Sequence, residues 1–240
     1  MRRRCRWGRL RLAEQTCQQA GQYAQETGRA HLGLPLILLG GIALERNDLL
    51  AAEQRLQEGL AISRQSGLTD DLLLAMRHLS RLRLAQGDSA AALAIMEEAH
   101  VVTQTQNIPR LSWLSAAHLA RIQLYAGQRE AAAQWALTYQ ATQADYLREF
   151  EELTLACILL ALGELEALPA RLQPLLAQAE AAGRGQSCIE AMLLLGLTHQ
   201  ASRETAVTPK LWLPVTLGAP GGGPNLALAL DLIAMVTSLK

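Results

Sequence analysis

Three arginines carry the clearest chemistry in the chain. Arg77 and Arg81 stand four residues apart, which places both guanidinium groups on one face of a helix, and Arg121 follows Arg81 by one 40-residue step, with Tyr125 four residues beyond it. Guanidinium groups in a row can hold a carboxylate or phosphate through paired N–H donors. The same step relates His78 to His118. A metal site needs further ligands in defined geometry, and His31, His100 and His199 are out of phase with that pair, so packed or partly exposed histidines are expected and no metal. Serine, histidine and aspartate all occur, yet no nucleophile elbow or ordered triad spacing connects them. The two lysines, Lys210 and Lys240, do not follow a glycine-rich phosphate-binding loop. Cys5, Cys17, Cys157 and Cys188 have no pair at metal-ligand spacing and read as free thiols, most of them buried, which fits a reducing cytoplasm. These residue types point to binding: no catalytic residue, metal or cofactor is expected.

The elements that must position the arginines follow from an internal repeat. Gly8, Asn47, Gly87, Gly127 and Gly163 recur at intervals of 39, 40, 40 and 36 residues, each between two helical patterns. Glycine and asparagine tolerate the left-handed conformation that ends a helix. Five positions after these anchors stand Ala13, Ala52, Ala92, Ala132 and Leu168; seven before the last four stand Gly40, Ser80, Ala120 and Ala156. Small residues at both places let two helices approach closely, and each unit is a helical hairpin. Helices are expected at about 9–27, 31–46, 48–66, 70–86, 88–106, 109–126, 128–143, 146–162, 164–182 and 187–201. Asp48 and Asp88 read as helix starters, Thr69-Asp70-Asp71 as a cap with an acidic first turn, and Pro109 as a first-turn proline. Trp113 and Trp135 are expected to seal hairpin contacts. One hairpin cannot bury its own apolar face, so several stack into a continuous core.

Composition narrows the function classes. The apolar half of the 240 residues is rich in Leu and Ala, with one Phe, which favours helices over strands. Of 22 basic residues, six arginines precede the first acid, Glu14, leaving 16 basic against 22 acidic residues from position 12 onward. That is a weak basis for a nucleic-acid surface. The longest apolar stretch, Leu32 to Leu44, is interrupted by Gly33, Pro35, Gly40 and Gly41 and is too short to span a bilayer. No direct nucleic-acid contact and no membrane role are expected.

The hairpins resemble tetratricopeptide repeats in the small positions of both helices. The period near 40 resembles the longer repeats of MalT-like, LuxR-type ATP-dependent transcriptional regulators, most clearly in Asn47-Asp48-Leu49-Leu50-Ala51-Ala52-Glu53, in Glu152-Leu153-Thr154-Leu155-Ala156 running to Gly163, and in Ala179-Glu180-Ala181-Ala182-Gly183-Arg184. The resemblance covers about residues 8–204. It implies an all-α, right-handed superhelical solenoid of about five tetratricopeptide-like hairpins, the first helix of each pair lining a concave groove. It places Arg77, Arg81, Arg121 and Tyr125 in that groove as candidate partner-binding residues, with Cys157 where related repeats often carry arginine. The occupant it implies is a protein segment or a small effector, such as a sugar-like one. In that family the solenoid lies between a nucleotide-binding module and a helix-turn-helix; neither is visible in this chain. The expected function is therefore a non-catalytic, effector-sensing and protein-interaction region, with a free-standing tetratricopeptide scaffold as the alternative.

The repeat breaks near residue 205. Pro209, Pro214, Gly218, Pro220, Gly221, Gly222, Gly223 and Pro224 forbid a long helix, so the expected organisation is a repeat domain over 1–204 and a Gly/Pro-rich tail over 205–240, with Leu226 to Leu239 as a short terminal helix.

Overall fold

A computed structural model describes residues 9–27, 33–139 and 148–204. Among them are ten helices and no strand: α1 (Arg9–Glu26), α2 (Gly33–Glu45), α3 (Leu49–Ser66), α4 (Thr69–Ala85), α5 (Ser89–Thr105), α6 (Pro109–Tyr125), α7 (Arg129–Thr138), α8 (Glu149–Leu162), α9 (Leu168–Ala182) and α10 (Gly185–Glu204). The expected tail helix, the anchor Gly8, Cys5 and Arg2, Arg3, Arg4 and Arg6 lie outside the described residues. The chain divides into two compact units, Met1–Ala126 and Gly127–Lys240.

The helix ends follow the local chemistry. Asn47, Gly87, Gly127 and Gly163 all take left-handed φ values, 59°, 82°, 80° and 78°. At Gly87 this turns the chain so that the Asp88 N–H reaches the Arg83 carbonyl at 2.8 Å, closing the end of α4. Asp48 and Asp88 then start α3 and α5, each accepting from the backbone N–H three residues on, Ala51 and Ala91. A second series of turns, at Gly67 and Asn107, is also left-handed and joins one hairpin to the next. Several boundaries differ from expectation: α7 ends at Thr138 rather than 143, α8 starts at Glu149 rather than 146, and α10 runs over 185–204 rather than 187–201. Two more differences have a visible local cause. Leu68, not Thr69, is the residue before α4, and it caps with no side chain. Helix α9 starts at Leu168 rather than 164, because Gly163 leaves the helical region and Pro169, which has no N–H to donate, belongs in a first turn.

In the first unit α2 packs on α3, α3 on α4, α4 on α5 and α5 on α6, and α2, α4 and α6 also touch their neighbours two helices along. That alternation makes α2, α4 and α6 the inner layer and α3 and α5 the outer one. Helix α4 belongs to two apolar clusters. Ala75, Leu79 and Leu82 pack with Ile37, Leu44, Ala52 and Leu56, while Leu73 and Met76 pack with Met96, Ala99, Leu111 and Ile122. The core is therefore continuous through α4, as stacking requires. The small positions set the spacing. A Cβ at Gly40 would stand 2.6 Å from Leu56 Cγ, and Ser80, fully buried, donates from Oγ to the Ala92 carbonyl at 2.9 Å. Ala52, Ala92 and Ala132 are all fully buried.

Helix α1 departs from the pattern: Ala13 is exposed, and the contact with α2 runs instead through Gly21, whose added Cβ would lie 3.7 Å from Pro35 Cβ. Trp113, expected at a hairpin contact, is 54% exposed because it falls on the outward face of α6 between Leu111 and Ser115, both buried. In the second unit α8 packs with α7, α9 and α10, burying Leu153, Ile158, Leu172 and Leu194. Trp135 stacks on Tyr139 with ring centroids 5.1 Å apart.

Because Ala92 has no free volume and lies under Ser80, Ala92→Leu is expected to destabilise the fold by about 1–3 kcal/mol through overpacking. Ala90→Leu, two residues away on the exposed face of α5, is expected to change stability by less than about 0.5 kcal/mol. Urea melts of both variants check the pair; equal effects would refute the assignment of faces.

Candidate functional site

All four groove residues of the sequence reading fall on inner helices of the first unit: Arg77 and Arg81 on α4, Arg121 and Tyr125 on α6. They differ in surroundings. Arg81 donates from Nη2 to Glu45 Oε1 of α2 at 2.8 Å, an ion pair about one quarter exposed on the arginine side. Arg77 is part-buried; its Nη2 lies 3.3 Å from His78 Nε2, and its Nε is buried with no hydrogen-bond partner. Arg121 is 6% exposed. Tyr125 rests its ring on the Met96 and Ile122 cluster. The inner row is thus more enclosed than an open groove wall. Ile37 and Ala117, at equivalent offsets, are fully buried, since α2, α4 and α6 pack along this row; Cys157 of α8, in the second unit, is fully buried within that unit's own packing.

The histidine pair explains the enclosure. The His78 ring covers Gly41 of α2, where an added Cβ would meet the ring Cε1 at 3.0 Å. Glycine at that offset thus makes room for a ring from the next hairpin. His118 is equally buried, 6% exposed. Burial, then Arg77 and Arg81, hold His78 well below the usual imidazole range; burial, then Arg77, Arg121, His78 and Arg81, do the same for His118. Both rings are neutral at neutral pH. Arg77 is itself pushed down to about 10 by burial and by Arg81, against the opposing pull of Glu45. The inner face therefore concentrates positive charge at Arg77 and Arg81 and holds two uncharged imidazoles between the helices.

Two further groupings were not legible beforehand. Arg110 of α6 pairs with Asp70 of α4, one repeat earlier, at the amino-terminal ends of the inner helices. The signal was present as an acid and a base 40 residues apart. His100 Nδ1 lies 2.9 Å from Ser115 Oγ, which lies 2.7 Å from Thr103 Oγ1. Ser115 is fully buried, so this contact joins α5 to α6 and offers its hydroxyl to no substrate. Cys17, Cys157 and Cys188 are free thiols, Cys157 buried and the others half-buried, with burial raising the thiols of Cys17 and Cys188. Among the described residues no group of three or more metal-ligating side chains assembles, and no helix is long and apolar enough to cross a membrane.

The neutral histidines make stability depend on pH. Their folded values are depressed, so below about pH 6.5 the unfolded chain binds protons that the folded chain refuses, and stability falls with pH. From pH 7 to 5.5 the two rings are expected to remove about 2 kcal/mol. Urea melts across that range check the slope, and His78→Gln with His118→Gln is expected to flatten it whatever its effect at pH 7. An unchanged slope in the double variant would show that other groups set it.

The MalT-like TPR region family matches residues 4–222. No curated protein and no solved structure matches the chain. The match spans both units and every described helix, and its repeat character agrees with the helix pairs, left-handed turns and small-residue crossings found here. The chain therefore belongs to the MalT-like TPR region family and is a helical-repeat interaction domain.

Proposed function

We propose that this chain is the effector-sensing and protein-interaction region of a MalT-like, LuxR-type transcriptional regulator, and that the inner face around Arg77, Arg81, Arg121 and Tyr125 receives an anionic group of a partner segment or effector. The observation that supports this best is the state of Arg77. A guanidinium group ordinarily stays charged at any accessible pH, yet here burial and Arg81 draw it down to about 10 while its Nε lacks a hydrogen-bond partner. An incoming carboxylate or phosphate would offset the Arg77–Arg81 repulsion and satisfy the donors together. Arg81 is the more accessible of the two and already orients toward a carboxylate, that of Glu45. Family membership supports the regulatory setting; the histidines are neutral and packed, so they add no charge to the row.

Selection of random peptides against the purified chain is expected to enrich Asp- and Glu-containing sequences. In calorimetric titration of the enriched peptides, Arg81→Gln is expected to weaken binding by about 1.5–3 kcal/mol while leaving the fold intact, since a part-exposed ion pair contributes little to stability. Arg121 is a poor choice for this test because it is buried. Enrichment of neutral peptides, or undiminished affinity in Arg81→Gln, would place the partner surface elsewhere. The regulatory setting is checked on the chromosome, where a nucleotide-binding module encoded before this region and a helix-turn-helix after it are expected.

A further inference from the structure

At the amino-terminal ends of the inner helices of the first unit lies a cavity of about 290 Å³. Its lining changes in character along the helices. At the amino-terminal end stand Asp70 and Asp71 of α4 and Arg110 of α6, with Arg110 paired to Asp70. Next come Leu73 and Leu74 of α4, Leu111 and Leu114 of α6, and Leu34 of α2. Arg77 and His118 follow, about two turns from the acids. Asp71 and Arg77 are six residues apart on one helix, about 9 Å along its axis.

These levels differ in chemistry. Arg110 is matched by Asp70, and the leucine walls offer no hydrogen bond to a ligand. Farther along, His118 is neutral, so the charge there belongs to Arg77, whose guanidinium is desolvated by burial and stands beside Arg81. Leucine walls beside the buried, charged guanidinium of Arg77 suit one chemistry. A polyol would strand its hydroxyl groups against leucine, a cation would be repelled by Arg77, and a plain hydrocarbon would leave that charge as it is. The volume is just below the roughly 300–1,000 Å³ of small-molecule pockets, so the ligand is small.

We propose that this cavity binds a small apolar carboxylic acid, with its carboxylate accepting from Arg77 and its hydrocarbon body lying on Leu73, Leu74, Leu111 and Leu114. The inference rests on the reading of the inner face as an anion-receiving surface and gives the effector a chemical class. Occupancy joins α4 to α6 through a shared ligand, so binding tightens the stacking of two hairpins.

The test is calorimetric titration of the whole chain with octanoate and with phenylacetate, against octanol, 2-phenylethanol and glucose. The acids are expected to bind, the alcohols about ten- to a hundredfold more weakly for want of the charged contact, and glucose not at all. Leu114→Asp, which places a like charge on the apolar wall, is expected to abolish acid binding, and Arg77→Gln to weaken it about tenfold or more. Circular dichroism confirms that each variant is folded, and Leu74→Ala provides a milder second probe should Leu114→Asp not fold, with several-fold weaker binding expected. Arg81→Gln, outside the cavity, is expected to lose acidic peptides and keep the acids. Acidic-peptide binding without acid binding overturns this inference and leaves the inner-face reading standing; acid binding without peptide binding does the reverse. Acid affinity unchanged in both leucine variants also overturns it.

Discussion

Close approach of helix backbones at small residues governs this structure. At the α2–α3 crossing Gly40 leaves no room for even a methyl group against Leu56, and at the α4–α5 crossing the space under Ser80 is filled by Ala92. With the outer helices held that near, each inner helix is brought against the next inner helix, and the offsets along α2, α4 and α6 fall into register. Residues 40 apart in the chain thereby become neighbours, as Asp70 and Arg110 show. A larger side chain at one crossing would disturb the inner row as well as the core, because the two are set by the same spacing.

That spacing makes the inner row a place where polar groups are desolvated. Burial of an arginine or histidine is unfavourable unless neighbours compensate. The first unit compensates unevenly: Arg81 has Glu45, the histidines discharge their protons, and Arg77 keeps its charge with a depressed proton affinity. Ion pairs on the outer surface, such as Arg64 with Glu98, are more than half exposed on both sides and contribute little by comparison. In the first unit desolvated positive charge is therefore concentrated where inner helices meet.

Much of this was written in the one-dimensional pattern. The anchors Asn47, Gly87, Gly127 and Gly163 fixed the hairpin turns because few residues accept positive φ, and the small positions fixed the crossings because few side chains fit there. Ala13 misled, since an alanine suits an exposed helix face as well as a crossing and only packing partners distinguish the two. Trp113 misled for a related reason: its size argues for burial, but its phase on α6 points outward between Leu111 and Ser115. The arginine row was visible as phase, while its degree of burial was not, because exposure at those offsets depends on the residue one hairpin away. Gly41 in α2 decides where His78 of α4 can sit, and no window of sequence shorter than the period contains both.

The same offsets carry different chemistry in the second unit, so the charged row is local and not a property of every repeat. On α8 the positions equivalent to Arg77 and Arg81 are Leu153 and Cys157, both buried and uncharged. The charge on α8 is acidic and sits in its first turn, at Glu149, Glu151 and Glu152. Glu149 pairs with Arg184 at 2.6 Å, Glu152 accepts from the Tyr139 hydroxyl at 3.0 Å and from Arg171, and burial raises the Glu151 carboxyl above its usual range. Carboxylates at a helix amino terminus are favoured by the helix dipole, so this cluster has a structural reason to exist without any ligand. The arginines of α4 and α6 lie mid-helix or beyond, in a desolvated row, at offsets that α8 fills with apolar side chains, and there Arg81 has the carboxylate of Glu45 across from it. A helical repeat tolerates leucine and cysteine at those offsets, so the charge of the first unit's inner row is a local feature laid on the repeat and not a requirement of its packing.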